Sequence, residues 1–248
     1  MLSAPGGVAA GDDGGVEGGT VEGGTVEGGA VRVGAVAFDF GGVLTHTAFG
    51  GLAEYERELG LPADALVGHF RDGPVMARLE VGEISSREFF KHVCVTAERE
   101  HGQRLDIHRL AGAASAGERL NPAMLELVSQ VRRRCRTALL TNNVAGASWR
   151  ASFPFELFDV VVDSSEVGVR KPDPAIFREL LRRLELTPDR VAFLDDLPRN
   201  VHAAATLGIR AVAFTDEAGC RASLTRLGAL APSSEPPATR DPEETSCG

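Results

Sequence analysis

Acidic and hydroxyl-bearing residues follow three short apolar segments of this sequence. Asp39 comes after GAVAF, Thr141 and Asn142 follow TALL, and the adjacent pair Asp195 and Asp196 follows VAFL. A carboxylate in such a position can attack phosphorus and split one hard hydrolytic step into two easier ones. Carboxylates also bind hard divalent cations such as Mg²⁺. These residues are therefore candidates for a phosphoester-hydrolysing site.

A lysine completes the candidate set. Lys171 lies in the segment GVRKPDP, and Lys91 is the other lysine of a chain whose remaining basic residues, apart from histidines, are arginines. A carboxylate and a phosphate ester are both anions, so magnesium held by Asp39 and a second carboxylate would shield their repulsion and polarise the phosphoryl group. An ammonium group adds a point charge on the transferring oxygens, while a hydroxyl and backbone N–H groups can hold the rest.

The elements that must position these residues alternate between strand and helix. Apolar segments typical of buried strands are VGAVAFDF, TALL, FDVVVD, VAFLD and IRAVAF. Helical spacing follows a predicted cap at Asn121–Pro122, covers 174–186, and recurs at 201–207 before Gly208. This alternation predicts an α/β fold with a doubly wound parallel sheet, in which ligands bind beyond the carboxyl ends of the strands.

The chain is predicted to have four parts. Between Phe49 and about residue 117 the patterns are only helical, so 49–117 is predicted to be an all-helical cap domain inserted into the sheet domain. The catalytic core then comprises 31–48 and 118–230. Residues 1–30 repeat VEGG and residues 231–248 are rich in Pro, Ser, Glu and Thr, so both are predicted to be disordered tails.

Composition and charge exclude several classes of function. The net charge is −9, there is one Trp, and the longest arginine run is Arg132–Arg134, which gives no electrostatic footprint for nucleic acid. No apolar stretch is long enough to cross a membrane, and the start of the sequence lacks the pattern of a signal peptide. The four cysteines have no CxxC spacing. We therefore expect a cytoplasmic enzyme whose partner is a small molecule; the oligomeric state stays open.

The motifs FDFGGVLT, LLTNN, RKPDP and FLDDLPRN, in this order, resemble the four motifs of the haloacid dehalogenase superfamily. The similarity covers about residues 34–215, and the predicted helical insert lies where this family has its first type of cap. It is greatest to phosphatases with GG or GN after the nucleophile, a subgroup that includes α-glucose-1-phosphate phosphatase and the phosphatase domain of soluble epoxide hydrolase. The resemblance implies a Rossmann-type core and a magnesium-dependent phosphohydrolase that acts through an aspartyl-phosphate.

The resemblance also assigns roles to individual residues. Asp39 is implied to be the nucleophile and a metal ligand, with the backbone carbonyl of Gly41 as a second ligand. Asp196 is implied to be the carboxylate ligand, with Asp195 supporting it or sharing that role. Thr141 and Asn142 are implied to bind the substrate by holding its phosphoryl oxygens. Lys171 is implied to pair with both the nucleophile and the phosphate.

Gly41 departs from the family pattern, because most of these phosphatases carry there a second Asp that protonates the leaving oxygen. Three functions stay open: a phosphatase that uses a substitute acid or a good leaving group, another hydrolase of this type such as a dehalogenase or phosphonatase, and a non-catalytic phosphate-binding module. Paired metal carboxylates argue against a dehalogenase. A small phosphorylated metabolite such as a sugar phosphate is the expected substrate. Trp149 is expected to pack on the core, and His46 could reach the site but is more simply packed or solvated.

Overall fold

The computed structural model describes residues 32–46, 49–71, 73–116 and 119–232. Its centre is one parallel sheet with the strand order β3-β2-β1-β4-β5. Each strand overlaps one of the five predicted segments. The strands are β1 Ala35–Phe38, β2 Arg136–Thr141, β3 Val160–Asp163, β4 Val191–Asp195 and β5 Arg210–Ala213. The two predicted tails, apart from Pro232 and Ala231, lie outside the described residues.

Strand β1 is central and fully buried on both faces, which is why its sequence is apolar without alternation. Phe38 is aligned with Leu139 of β2 and with Leu194 of β4. The amide of Asp39 donates to the carbonyl of Leu194 at 2.9 Å, so the ladder continues to the residue that follows β1. The carboxyl ends of the three middle strands therefore meet at one edge.

Helices follow one another between β1 and β2, and the last of these helices leads back into the sheet. Five of these helices make up what we call the helical insert, residues 50–115. They are α1 Gly50–Leu59, α2 Val67–Arg71, α3 Pro74–Glu80, α4 Ser86–His101 and α5 Ile107–Ser115.

The helical insert has a hydrophobic cluster of its own, which includes Leu52, Phe89, Val93 and Leu110. Helix α4 begins with a capping box: the amide of Glu88 donates to Ser85 Oγ at 3.3 Å, and the amide of Ser85 donates to Glu88 Oε2 at 2.8 Å. The insert thus carries both the core and the helix-start signals needed to hold its helices together.

The remaining helices cover both faces of the sheet. They are α6 Pro122–Arg132, α7 Ser164–Val167, α8 Pro174–Leu184, α9 Pro198–Thr206 and α10 Glu217–Arg226. Helices α6 and α10 pack on the face that carries Phe38 and Leu194, whereas α8 and α9 pack on the face that carries Ala37 and Phe193. This arrangement is the doubly wound α/β fold that the sequence predicts.

Two helix boundaries differ from the sequence prediction. Helix α8 ends at Leu184 instead of 186, because Glu185 has a left-handed backbone with φ of 52°. Helix α9 begins at Pro198, three residues before the predicted start, since proline fits the first turn of a helix. The predicted cap of α6 is confirmed: Asn121 Oδ1 accepts from the amide of Met124.

Among the described residues, no helix combines the length and the apolar character that a membrane crossing requires.

Candidate active site

Three carboxylates meet at the carboxyl edge of the sheet. Asp39 follows β1, Asp195 is the last residue of β4, and Asp196 follows it; one oxygen of each lies within 4.8 Å of the others. Asp39 is 6% exposed and Asp195 is fully buried. Like charges this close repel one another strongly when they are removed from water, so the cluster needs compensating positive charge.

Lys171 supplies part of that charge. Its ammonium nitrogen lies 2.5 Å from Asp39 Oδ1 and 2.7 Å from Asp195 Oδ2, and its side chain is 1% exposed. Burial alone would lower the pKa of Lys171, but the charges of Asp39 and Asp195 outweigh it and hold the pKa above its usual value. Lys171 is therefore a permanent cation between the two acids.

Asn142 positions the lysine from the neighbouring strand end. Its Oδ1 accepts from the Lys171 amide at 2.8 Å, and its Nδ2 donates to the Lys171 carbonyl at 3.0 Å. The side chain of Asn142 is thus engaged with the backbone of the Lys171 loop. The preceding Thr141 is buried, and its hydroxyl donates to the carbonyl of Asn142 at 3.3 Å.

Asp195 and Asp196 have different surroundings, although they are adjacent in sequence. Asp195 Oδ1 accepts from the amide of Leu197 at 2.8 Å, Asn200 Nδ2 lies 3.0 Å from both Asp195 oxygens, and Lys171 takes Oδ2. Asp196 Oδ1 is buried and has no hydrogen-bond partner among the described residues. Asp195 is therefore occupied with holding Lys171, which leaves Asp196 as the carboxylate available to a cation.

Asn200 is a site residue that the sequence analysis missed. It is 2% exposed and lies in the first turn of α9, five residues after Asp195. The only signal in the sequence was its place in the FLDDLPRN motif.

Of the two glycines that follow Asp39 in the FDFGG segment, Gly42 makes room for Asp196. Gly42 has φ of 77°, and a Cβ atom there would overlap with the carboxylate of Asp196. Gly41 has an ordinary φ of −69°, and a Cβ atom there would meet no heavy atom within 4 Å.

These two glycines give a matched pair of variants. We expect Gly42→Ala to weaken Mg²⁺ binding by at least about tenfold and to lower the melting temperature, because it adds left-handed strain of about 1–2 kcal/mol and displaces Asp196. Gly41→Ala should leave both quantities close to those of the parent protein. Calorimetric titration with Mg²⁺ and thermal unfolding would measure this. Equal losses in the two variants would contradict the assigned contact.

Charge balance at this edge favours a divalent cation. Three carboxyl groups face one ammonium group. Burial raises the pKa of Asp39 to about 7, Lys171 opposes that rise, and the charges of Asp195 and Asp196 add to it. Burial and the charge of Asp195 also raise the pKa of Asp196. A hard dication beside Asp39 and the unbonded oxygen of Asp196 would remove the excess negative charge, and carboxylate oxygens are the donors that Mg²⁺ prefers.

Magnesium binding should therefore depend on pH. The folded-state pKa of Asp39 lies above its unfolded value, so protonated Asp39 stabilises the metal-free fold. This contribution to the free energy of unfolding is complete below about pH 4 and is lost as pH rises through 7. Protons compete with the cation for Asp39 over the same range, so we expect the Kd for Mg²⁺ to be about tenfold larger at pH 6 than at pH 8. Titration calorimetry at both pH values would check this, and a Kd that does not change with pH would contradict it.

A cavity of about 820 Å³ separates this edge from the helical insert. Asp39, Lys171 and Asp196 lie in its polar wall. Trp149 also lines the cavity and stacks on Phe40 with ring centroids 3.9 Å apart. His46 is exposed and is not among the residues that line the cavity.

The insert reaches the polar edge through α3. Glu80 and Arg170 line the cavity and form an ion pair with a Nε–Oε2 distance of 2.6 Å. The carbonyl of Glu80 also accepts from Ser164 Oγ at 2.6 Å. These contacts tie the end of α3 to Arg170, the residue before Lys171, and to the start of α7.

Comparison with known families identifies the chain. The model of the haloacid dehalogenase-like hydrolases matches residues 33–208. The chain belongs to this family. It is therefore a haloacid dehalogenase-like hydrolase, as its motifs suggested.

Two relatives of this haloacid dehalogenase-like hydrolase are informative. Bifunctional epoxide hydrolase 2 of Rattus norvegicus is 29% identical over 233 residues, which cover 86% of this chain and 42% of the relative. D-ribitol-5-phosphate phosphatase of Bacteroides thetaiotaomicron is 26% identical over 200 residues, which cover 77% of this chain and 96% of the relative. The chain spans less than half the length of the first curated relatives it matches.

The fold is also shared with solved structures. A haloacid dehalogenase family enzyme from Bacteroides thetaiotaomicron, in complex with magnesium and inorganic phosphate, superposes with a TM-score of 0.59 and 21% sequence identity. The match covers 74% of this chain and 94% of that enzyme. At this identity the likeness concerns the fold alone.

Proposed function

We propose that this hydrolase is a magnesium-dependent phosphatase that acts on a small phosphate ester through an aspartyl-phosphate on Asp39. The observation that carries the proposal is the buried cluster in which Lys171 bridges Asp39 and Asp195 while Asp196 keeps one oxygen without a partner. A hydrolase that attacks carbon needs no cation and has no use for an extra carboxylate next to its nucleophile. A phosphate ester, by contrast, requires the negative charge of the site to be offset.

Asp39, Asp196 and the backbone carbonyl of Gly41 would hold the magnesium ion. When bound, Mg²⁺ offsets the charge of the carboxylates and polarises the phosphoryl group. An oxygen of Asp39 attacks phosphorus and the ester oxygen departs; water then attacks the same phosphorus and releases Asp39 and inorganic phosphate. Lys171 fixes the orientation of Asp39 and offsets charge on the phosphoryl oxygens. Asn142 keeps Lys171 in place, and Thr141 lies at the strand end where phosphoryl oxygens would be held.

We further propose that residues 49–117 act as a cap over this site. The cavity is lined by the sheet edge on one side and by the helical insert on the other. The ion pair between Glu80 and Arg170 links the two sides next to Lys171. A cap placed in this way would exclude bulk water while Asp39 attacks.

Hydrolysis of 4-nitrophenyl phosphate with and without Mg²⁺ tests the proposed function. We expect turnover that requires Mg²⁺ and stops when the cation is chelated. A parallel assay with 2-chloropropionate should give no halide release. Halide release that does not depend on Mg²⁺ would indicate a dehalogenase and contradict the proposed phosphatase function. Mg²⁺ binding without turnover of any phosphate ester would indicate a binding module.

A further inference from the structure

We propose that the substrate is an aryl phosphate, the phosphate ester of a phenol-like alcohol, and not a sugar phosphate. This inference rests on the proposed phosphatase function and specifies the substrate class of the same site. Two independent features of the cavity carry it. One is an aromatic lining that fits an apolar leaving group, and the other is that the described lining residues include no acid that could protonate a poor one.

Aromatic side chains face the cavity from both sides. Within the insert, Phe70 lies 5.1 Å from Phe89 and 5.9 Å from Phe90 between ring centroids. Trp149 approaches from the loop after β2. Rings at such separations make favourable edge-to-face and offset contacts, so a further ring bound among them would gain the same interactions. Phe49 and Met76 add to this apolar wall.

Charged side chains in the insert half of the cavity already have partners. Arg71 pairs with Asp64 at 3.0 Å, and Glu80 pairs with Arg170. A sugar would bring several hydroxyl groups into this half, and each buried hydroxyl without a partner costs about 1–3 kcal/mol. An aryl group loses no hydrogen bond on entering such a wall.

The described residues that line the cavity offer no acid for the leaving oxygen. The carboxylates among these lining residues are Asp39, Asp196 and Glu80, and these lining residues include no His, Tyr or Cys. Asp39 and Asp196 belong to the charge cluster, and Glu80 is held by Arg170. Gly41, two residues after Asp39, faces the cavity and has no side chain to offer.

Without an acid, the leaving oxygen must depart as an anion. A bond forms from Asp39 oxygen to phosphorus, and the bond from phosphorus to the ester oxygen breaks, with its electron pair staying on that oxygen. A phenolate has a conjugate acid of pKa about 10, as for tyrosine, and leaves readily before taking a proton from solvent. An alkoxide leaves poorly, because the pKa of its conjugate acid is close to that of water and far above that of a phenol.

A leaving-group series tests the proposal. We expect kcat/KM for phenyl phosphate to exceed that for cyclohexyl phosphate, which has similar size and apolarity, and that for glucose 6-phosphate by at least about a hundredfold. Across substituted phenyl phosphates, log kcat/KM should fall steeply as the pKa of the phenol rises. A flat dependence, or faster turnover of glucose 6-phosphate, would overturn the substrate class and leave the phosphatase intact. No turnover of any ester would instead overturn the proposed phosphatase, and this inference with it.

Gly41→Asp supplies the acid that the described lining residues do not provide. The backbone conformation and free space at this position admit a side chain. We expect the variant to raise cyclohexyl phosphate hydrolysis by about a hundredfold and to flatten the leaving-group dependence, whereas Gly41→Ala, which adds no acid, should keep a leaving-group dependence as steep as that of the parent protein. A folded, Mg²⁺-binding Gly41→Asp variant with an unchanged leaving-group dependence would overturn the argument.

The aromatic wall is tested separately by Phe90→Leu. Turnover of 2-naphthyl phosphate should fall about five- to tenfold relative to acetyl phosphate, which has a good leaving group but no ring. Turnover of acetyl phosphate also reports whether the variant is folded. Val95→Ala, at an exposed position of α4, should not change the ratio. An unchanged ratio in Phe90→Leu would overturn ring recognition by this wall.

Discussion

Asp39→Asn should reduce turnover of 4-nitrophenyl phosphate by at least about a thousandfold. An amide oxygen is a far weaker nucleophile than a carboxylate, and the variant also removes one of the two carboxylates proposed to hold the cation. The fold should survive, because the substitution removes a buried charge without changing the volume of the side chain. Steady-state kinetics together with circular dichroism would measure both effects.

Asp189→Asn is the matched control, since Asp189 is exposed and lies at the opposite, amino end of β4. It should keep the parent activity. Retention of more than about a tenth of the activity by Asp39→Asn would show that another group attacks phosphorus.

Lys171→Met should abolish most activity and also destabilise the protein. The lysine lies between two buried carboxylates, and breaking a buried ion pair by removing one partner typically costs about 3–5 kcal/mol. We expect a loss of at least about a hundredfold in kcat, since the charge beside the nucleophile disappears. Mg²⁺ should raise the melting temperature of this variant more than that of the parent, because the cation then offsets more uncompensated charge.

Lys91→Met is a fitting control, because Lys91 is the other lysine of the chain and is exposed on α4. It should leave activity and melting temperature unchanged. If the melting temperature of Lys171→Met equalled that of the parent without Mg²⁺, the buried pairing would not contribute to stability as proposed.

The sheet and its polar edge could be predicted from the sequence for a physical reason. Strands buried on both faces must be apolar throughout, so Asp39 and Asp195 stand out as the points where each segment ends. Parallel strands bring all such points to one edge. The local signal at Asn121 was equally strong, since a capping side chain acts within three residues.

The contacts of Asn142 and Asn200 could not be predicted, because each joins two different elements of the fold. Asn142 binds the backbone of a residue 29 positions later, and Asn200 reaches back from α9 to Asp195 at the end of β4. A periodic pattern reports which face of a helix is apolar but not what that face meets. The position of Phe70 and Phe90 in the cavity wall is therefore seen only in the structure.

Trapping the covalent intermediate is the most direct test of the central claim that Asp39 attacks phosphorus. The protein with Mg²⁺ and excess 4-nitrophenyl phosphate would be quenched in the steady state, reduced with borohydride, and digested for mass spectrometry. Reduction of an aspartyl-phosphate yields homoserine, and we predict homoserine at position 39 only when both substrate and Mg²⁺ are present. Turnover that leaves Asp39 unmodified, or homoserine at another aspartate, would contradict the claim.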